Sequence, residues 1–245
     1  MHGLRPGLMT RNKGETMNSS DLETARELIK IASTASDFLE AICLPAAEEI
    51  GVILRDKLRI WRLKNITPIL QEAKAMLEKR GSLDNIKCHP RIAVKIIEEG
   101  SSIEDPDLQR MWAGLFASSC TKDGTDETNL IFANILAQLS SSQARIIKLP
   151  FEGNYTRYQY DGLEFTDIEK ERSELVNYTG LPNWGILMRE LEHLDSLGLV
   201  GYTLSSNPQR TIIQIHYNEA ALRLYARCQG YTGTLQQFLL SITGN

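Results

Sequence analysis

The chain has 245 residues, 42% hydrophobic and 24% charged, with 27 basic against 31 acidic side chains and a formal net charge of -4. That is enough chain to bury a sizeable core in one or two domains, and a small negative total argues against a dominant nucleic-acid surface while leaving room for a local basic patch. Four cysteines, Cys43, Cys88, Cys120 and Cys228, stand singly with no CxxC pair, which fits reduced thiols in a cytoplasm better than a disulfide framework.

The opening residues, MHGLRPGLMTRNKGET, carry Gly, Pro and Arg without periodicity and lack the apolar core of a signal peptide. Residues 1–17 are therefore expected to be a disordered lead, with Met17 an alternative start. No apolar run approaches the roughly 18 residues that read as a transmembrane helix. Ser20 and Glu23 match a capping box, followed by Leu22, Ala25, Leu28, Ile29 and Ala32 at helical spacing. Pro45 suits the first turn of a next helix, which places Ile50, Leu54, Leu58 and Trp61 on one apolar face. Thr67-Pro68 predicts another break or restart, because proline removes a donor, and Gly81 predicts the end of the third helix. A further helix is predicted from Pro90 to Glu99. Asp105 then offers an N-cap with Pro106 behind it, and Leu108, Met111, Trp112, Leu115 and Phe116 follow at i, i+3, i+4, i+7 and i+8, a core-facing stripe. A helix over about 126–140 and a short one capped by Ser142 complete an all-α part.

The character changes at Pro150. Asp161-Gly162 between Tyr160 and Leu163 signals a hairpin, and Thr166 with Glu169 predicts a capping box opening a helix to about Tyr178. Asn183 should cap the next helix, with Leu187, Leu191 and Leu194 on one face. LVGYTL and TIIQIHY alternate as a two-stranded ribbon, and Asn218 should cap a helix through Cys228. Helix, helix, then hairpin is the order of a winged helix. The expected fold class is therefore mainly α: an N-terminal helical bundle with proline-jointed long helices over 18–149, then a winged-helix-like α+β domain with a small β-hairpin over 150–230. Residues 231–245 form an amphipathic tail through Leu235, Phe238, Leu239 and Ile242.

Chemistry-bearing constellations are sparse. Cys88-His89 has no second pair at zinc-like spacing, the histidines at 2, 89, 193 and 216 sit in no nucleophile signature, and no phosphate-binding glycine motif occurs. No catalytic residue, metal ligand or cofactor is assigned, and the balance leans away from an enzyme. The strongest positive patch is Arg55, Lys57, Arg59, Arg62 and Lys64 around Trp61. Arg55, Arg59 and Arg62 share a face, so with Trp61 they are candidates for contact with an acidic partner or an anionic surface. The alternative is a bundle helix with a solvated basic face. In the helix that would read a groove, Arg189 stands against Glu190, Glu192 and Asp195, which works against phosphate neutralisation and so against nucleic acid.

Three blocks carry a family resemblance. LPAAEEIGVILRDKLRIWRLKNI (44–66), IEDPDLQRMWAGLFASS (103–119) and FANILAQLSSSQARII (132–147) resemble, in this order, segments of the abortive infection alpha family, and HLDSLGLV is similar to a later, more divergent one. The resemblance implies a bacterial or prophage-borne protein linked to phage defence by abortive infection, with no active site to transfer. The family block around Leu108, Met111, Trp112, Leu115 and Phe116 is read as core. The expected function is a non-enzymatic cytoplasmic defence protein acting with a protein partner or as a homo-oligomer. A winged-helix nucleic-acid regulator is the alternative, and a peripheral membrane effector using the Trp61 helix is the second.

Overall fold

The computed structural model describes residues 36–53, 58–81, 83, 85–153, 156–160, 163–205 and 211–243, together with 26, 30 and 33; of 53, 59, 156–160, 163–165 and 243 only the backbone is described. The Ser20–Glu23 capping box lies outside the described residues. After a helical stretch at 36–42 come α1 (Leu44–Ile53), α2 (Arg59–Arg80), β1 (Lys87–Cys88), α3 (Pro90–Gly100), α4 (Pro106–Ser119), β2 (Cys120–Thr121), α5 (Leu130–Leu136), α6 (Ser141–Lys148) and a 3-10 turn (Leu149–Phe151). The chain continues with β3 (Thr156–Tyr160), β4 (Leu163–Glu171), α7 (Arg172–Thr179), α8 (Trp184–Ser196), β5 (Val200–Leu204), β6 (Ile212–Tyr217), α9 (Glu219–Cys228) and α10 (Leu235–Thr243). The protein is mainly helical, with one two-stranded and one four-stranded antiparallel sheet among the described residues.

Local chemistry sets several of the helix starts. Asp105 accepts from the amides of Asp107 (3.1 Å) and Leu108 (3.0 Å), and Pro106 fills N1 of α4 where its missing N–H costs nothing. Ser140 and Gln143 form a reciprocal capping box on α6, two residues ahead of the predicted Ser142 cap. Asn183 caps α8 through Ile186 N (3.0 Å). Asn218 sits at the N-cap of α9 but makes no side-chain cap; its amide donates to Gly198 O instead. Gly81 ends α2 at φ 141, a conformation that favours glycine.

Pro68 does not break the chain. It lies inside α2, and Thr67 Oγ1 bonds back to Leu63 O at 2.7 Å in the same turn. Tertiary packing decides the matter: Leu63, Ile66, Ile69, Leu70, Ala73 and Leu77 are all buried on both sides of the proline, and their burial outweighs one lost backbone bond. The predicted stripe across the joint fares differently: Ile50 is buried, but Leu58, the non-helical residue just before α2, is 58% exposed, while Leu54 lies outside the described residues.

Residues 163–171 form a strand where a helix is expected. Thr166 and Glu169 open no helix; they belong to β4, and α7 starts at Arg172. Here Thr166 and Ile168 point into the core while Asp167 and Glu169 do not, the period of a strand. Ile168 faces Ile215 of β6, and such cross-strand burial overrides a local capping signal. The sheet order is β3-β4-β6-β5, so the predicted β5–β6 ribbon gains two strands. The predicted hairpin is β3–β4, with Tyr160 opposite Leu163.

α4 organises the core. Every residue from Met111 to Ser119 is buried, and the helix packs against α2, α3, α5, α6 and α9. One continuous buried cluster runs from Phe38 to Leu239 and includes Leu191, Ile215 and Tyr217 beside Trp112 and Phe116. The contact with α9 is tightest at Gly114, where an added Cβ would stand 1.8 Å from the Cys228 carbonyl oxygen. Gly114→Ala should therefore cost more than the roughly 1–3 kcal/mol of ordinary overpacking. Gly51→Ala, in α1 with open space around its Cβ, should stabilise by up to ~1 kcal/mol. Urea unfolding of the two variants measures both signs.

Candidate functional site

The acids of the 103–119 block are the natural starting point. Each has a structural partner. Glu104 accepts from the Trp61 indole N–H, tying the start of α2 to the turn before α4. Asp105, besides capping α4, takes Arg145 Nη2 at 3.2 Å. Asp107 lies 3.7 Å from Arg145 Nε and 3.8 Å from Lys148 Nζ. The network runs on: Arg145 Nη1 donates to Thr179 O at 2.9 Å, Lys148 pairs with Glu152 at 2.7 Å, and Tyr178 donates to Glu152 at 2.6 Å.

This junction of α4, α6 and α7 is an ion-pair network. Burial alone pushes the Glu152 carboxyl up, but the bonds from Lys148 and Tyr178, with the lysine's charge, outweigh it and hold the group below its usual range. Its hydrogen bond to Glu152 raises Lys148, and burial drives Tyr178 far above the phenolic range. Two cations, Arg145 and Lys148, are shared among three carboxylates, Asp105, Asp107 and Glu152, an arrangement that ties three helices together.

The other candidates are equally engaged. All four cysteines are free and buried. Cys88 faces Cys120 across β1–β2, and its thiol is raised first by the hydrogen bond with Cys120 and then by burial; burial raises Cys43 and Cys228 as well. Protonated, inaccessible thiols are poor nucleophiles. His89 Nε2 meets Glu127 at 3.1 Å, His193 Nδ1 meets Gln143 at 2.8 Å, and His216 Nδ1 meets Asp167 at 2.8 Å with Thr203 on its other nitrogen at 3.4 Å. That last trio is invisible in sequence because only strand register brings β4, β5 and β6 side by side. Among the described residues, no three His, Cys, Asp or Glu side chains gather as a metal set.

The basic segment is divided. Arg55 lies outside the described residues, and of Arg59 only the backbone is described. Arg62 Nε donates to Ser101 Oγ at 2.9 Å, and Trp61 is half-buried on Glu104. Leu108 and Met111 are each 4% exposed, and Trp112, Leu115 and Phe116 are fully buried, so this part of the family block is core. The indole N–H of Trp112 finds no acceptor among the described residues. Among the described residues, no helix is long and apolar enough to cross a membrane.

Fold and site together define a mainly helical protein with a small antiparallel sheet, whose recognisable sequence blocks build structure. The chain belongs to the abortive infection alpha family, whose model matches residues 63–234. That span takes in the 103–119 and 132–147 blocks and continues through β6 and α9, while only the end of the 44–66 block falls within it. The family is associated with abortive infection, a phage-defence response. Searches of curated proteins and of solved structures give no significant match.

The Glu152 network yields a pH dependence. A depressed carboxyl contributes stability at pH above its ordinary value and loses it as pH falls through the folded value. Acid unfolding of the parent chain should therefore include a contribution below the usual glutamate range that Glu152→Gln removes. Melting temperatures from pH 7 to pH 3 check this: the gap between the two proteins should narrow on acidification.

Proposed function

We propose that the chain is a non-catalytic phage-defence component, bacterial or prophage-borne, that works in the cytoplasm through contact with a protein partner or a second copy of itself. The supporting observation is the row of exposed apolar residues on α1 and at the start of α2: Leu44 (58%), Val52 (46%), Leu58 (58%) and Ile60 (54%). Large apolar side chains clustered in one segment, next to basic residues, favour an interaction surface over a solvated helix. The inner residues of α1, Ala46, Ala47 and Ile50, are buried, and α1 packs against α3, so the segment is anchored while its outer side is left to a partner.

A second reading treats residues 150–230 as a winged helix that binds nucleic acid. The order β4, α7, α8, β5, β6, with β6 between β4 and β5, favours the winged-helix part of that reading. Charge opposes the nucleic-acid part: on α8, Glu192 and Asp195 are exposed beside a single exposed arginine, Arg189, and affinity for nucleic acid rests on phosphate neutralisation. Gel shifts with random duplex at two salt concentrations separate the readings; a salt-sensitive shift would favour nucleic acid. Peripheral membrane contact has less support, since Trp61 and Arg62 are bonded to Glu104 and Ser101.

Plating a broad phage panel on cells with and without the gene tests the main reading. The parent chain should reduce plaque numbers for some phages, and a Leu58→Glu, Ile60→Glu double variant should fold with an unchanged melting curve yet protect no longer. Full protection by that variant would exclude this surface.

A further inference from the structure

A cavity of about 450 Å³ lies between α7, α8 and the strand β6 edge, lined by Arg172, Ser173, Val176, Asn177, Trp184 and Thr211. Its size falls at the lower end of small-molecule sites, roughly 300–1,000 Å³. Nothing in the sequence marks it, because Arg172, Trp184 and Thr211 come from three separate elements. They meet because α7 begins directly at the end of β4, where the Arg172 amide donates to Thr211 O at 2.7 Å.

Arg172 holds the key position. Its guanidinium carbon stands 4.7 Å from the centroid of the Trp184 ring, a cation–π placement that fixes the side chain. Its Nε is buried and has no hydrogen-bond partner among the described residues. A buried guanidinium N–H without an acceptor is costly, and no described carboxylate neutralises it. Glu171, the nearest in sequence, accepts instead from Thr211 Oγ1, and Glu174 lies 3.9 Å from Lys170. Glu171 also makes no side-chain cap on α7, so no side chain at the N-cap occupies the first-turn amides beside Arg172, at the end of the helix that favours anions.

We propose that this cavity binds a phosphorylated ligand of mononucleotide size. The guanidinium and the Ser173 hydroxyl supply donors for a phosphate. Val176 and Trp184 offer apolar and aromatic surface to a planar base, and the Asn177 amide, both donor and acceptor, can read a base edge. An inorganic phosphate alone would leave most of the volume empty. The inference is independent of the partner surface on α1 and α2.

The test is calorimetric titration of the full-length protein with adenosine and guanosine 5′-monophosphates, the matching nucleosides, inorganic phosphate and a short single-stranded oligonucleotide. At least one monophosphate should bind, with its nucleoside and inorganic phosphate each at least about tenfold weaker, or ~1.4 kcal/mol. Arg172→Gln should weaken the monophosphate by a similar factor. Asn177→Asp, at an exposed position, brings a repelling charge to the rim and should do the same with an unchanged melting curve, which covers any loss of folding in the arginine variant. Absence of binding at millimolar monophosphate, equal binding of nucleoside and nucleotide, or undiminished affinity in Asn177→Asp would overturn the proposal. Displacement of the monophosphate by the oligonucleotide at lower concentration would also overturn it, by assigning the phosphate subsite to a nucleic-acid strand.

Discussion

The burial of α4 on all sides from Met111 to Ser119 is the constraint from which the rest of the fold follows. Such a helix meets most of its polar needs internally, the Trp112 indole N–H being an exception among the described residues. Ser118 and Ser119 bond back to Leu115 O and receive the Asn129 amide, and the Cys120 thiol turns to Phe116 O at 3.3 Å. Asp105 closes the other end. The neighbours are then fixed by shape: at Gly114 the backbone of α9 comes so near that no side chain fits. Because α9 also packs against β4, that one contact joins the helical part to the sheet.

The same constraint explains why the family block looks like a site and is built like a scaffold. A sequence that must start a buried helix needs a cap, a proline at N1 and charges that tie its end to neighbours. Glu104, Asp105 and Asp107 meet that need through Trp61, Arg145 and Lys148. Tyr217, fully buried, extends the tie from the sheet to α6 through its hydroxyl on Ile146 O at 2.8 Å. Exposed large apolar side chains lie instead on α1 and beside the start of α2, at Leu44, Val52, Leu58 and Ile60.

How far sequence reveals this depends on the range of the interaction. The cap at Asp105, the stripe through Phe116, the cap at Asn183 and the β3–β4 hairpin are local, and the residues spell them out. Pro68 and Thr166 mislead for the same reason in reverse: each carries a strong local signal that a long-range contact overrules, the buried row of α2 in one case and the pairing of β4 with β6 in the other. Side-chain pairs made only by register or by the meeting of distant elements, such as Asp167 with His216 or Arg172 with Trp184, leave no trace in spacing. The stripe through Leu58 fails because Leu58 itself stands outside the helix, at the N-cap of α2.

On this reading α4 welds the helical part and the sheet-bearing part into one cooperative unit. Native-state hydrogen exchange tests it most directly. The amides of Met111–Ala117 in α4, Leu222–Ala226 in α9 and Ile213–Ile215 in β6 should exchange only through global unfolding, with one shared opening free energy that falls equally in Gly114→Ala. If the β6 and α9 amides open well below the free energy of α4, the two parts unfold separately and α4 does not join them.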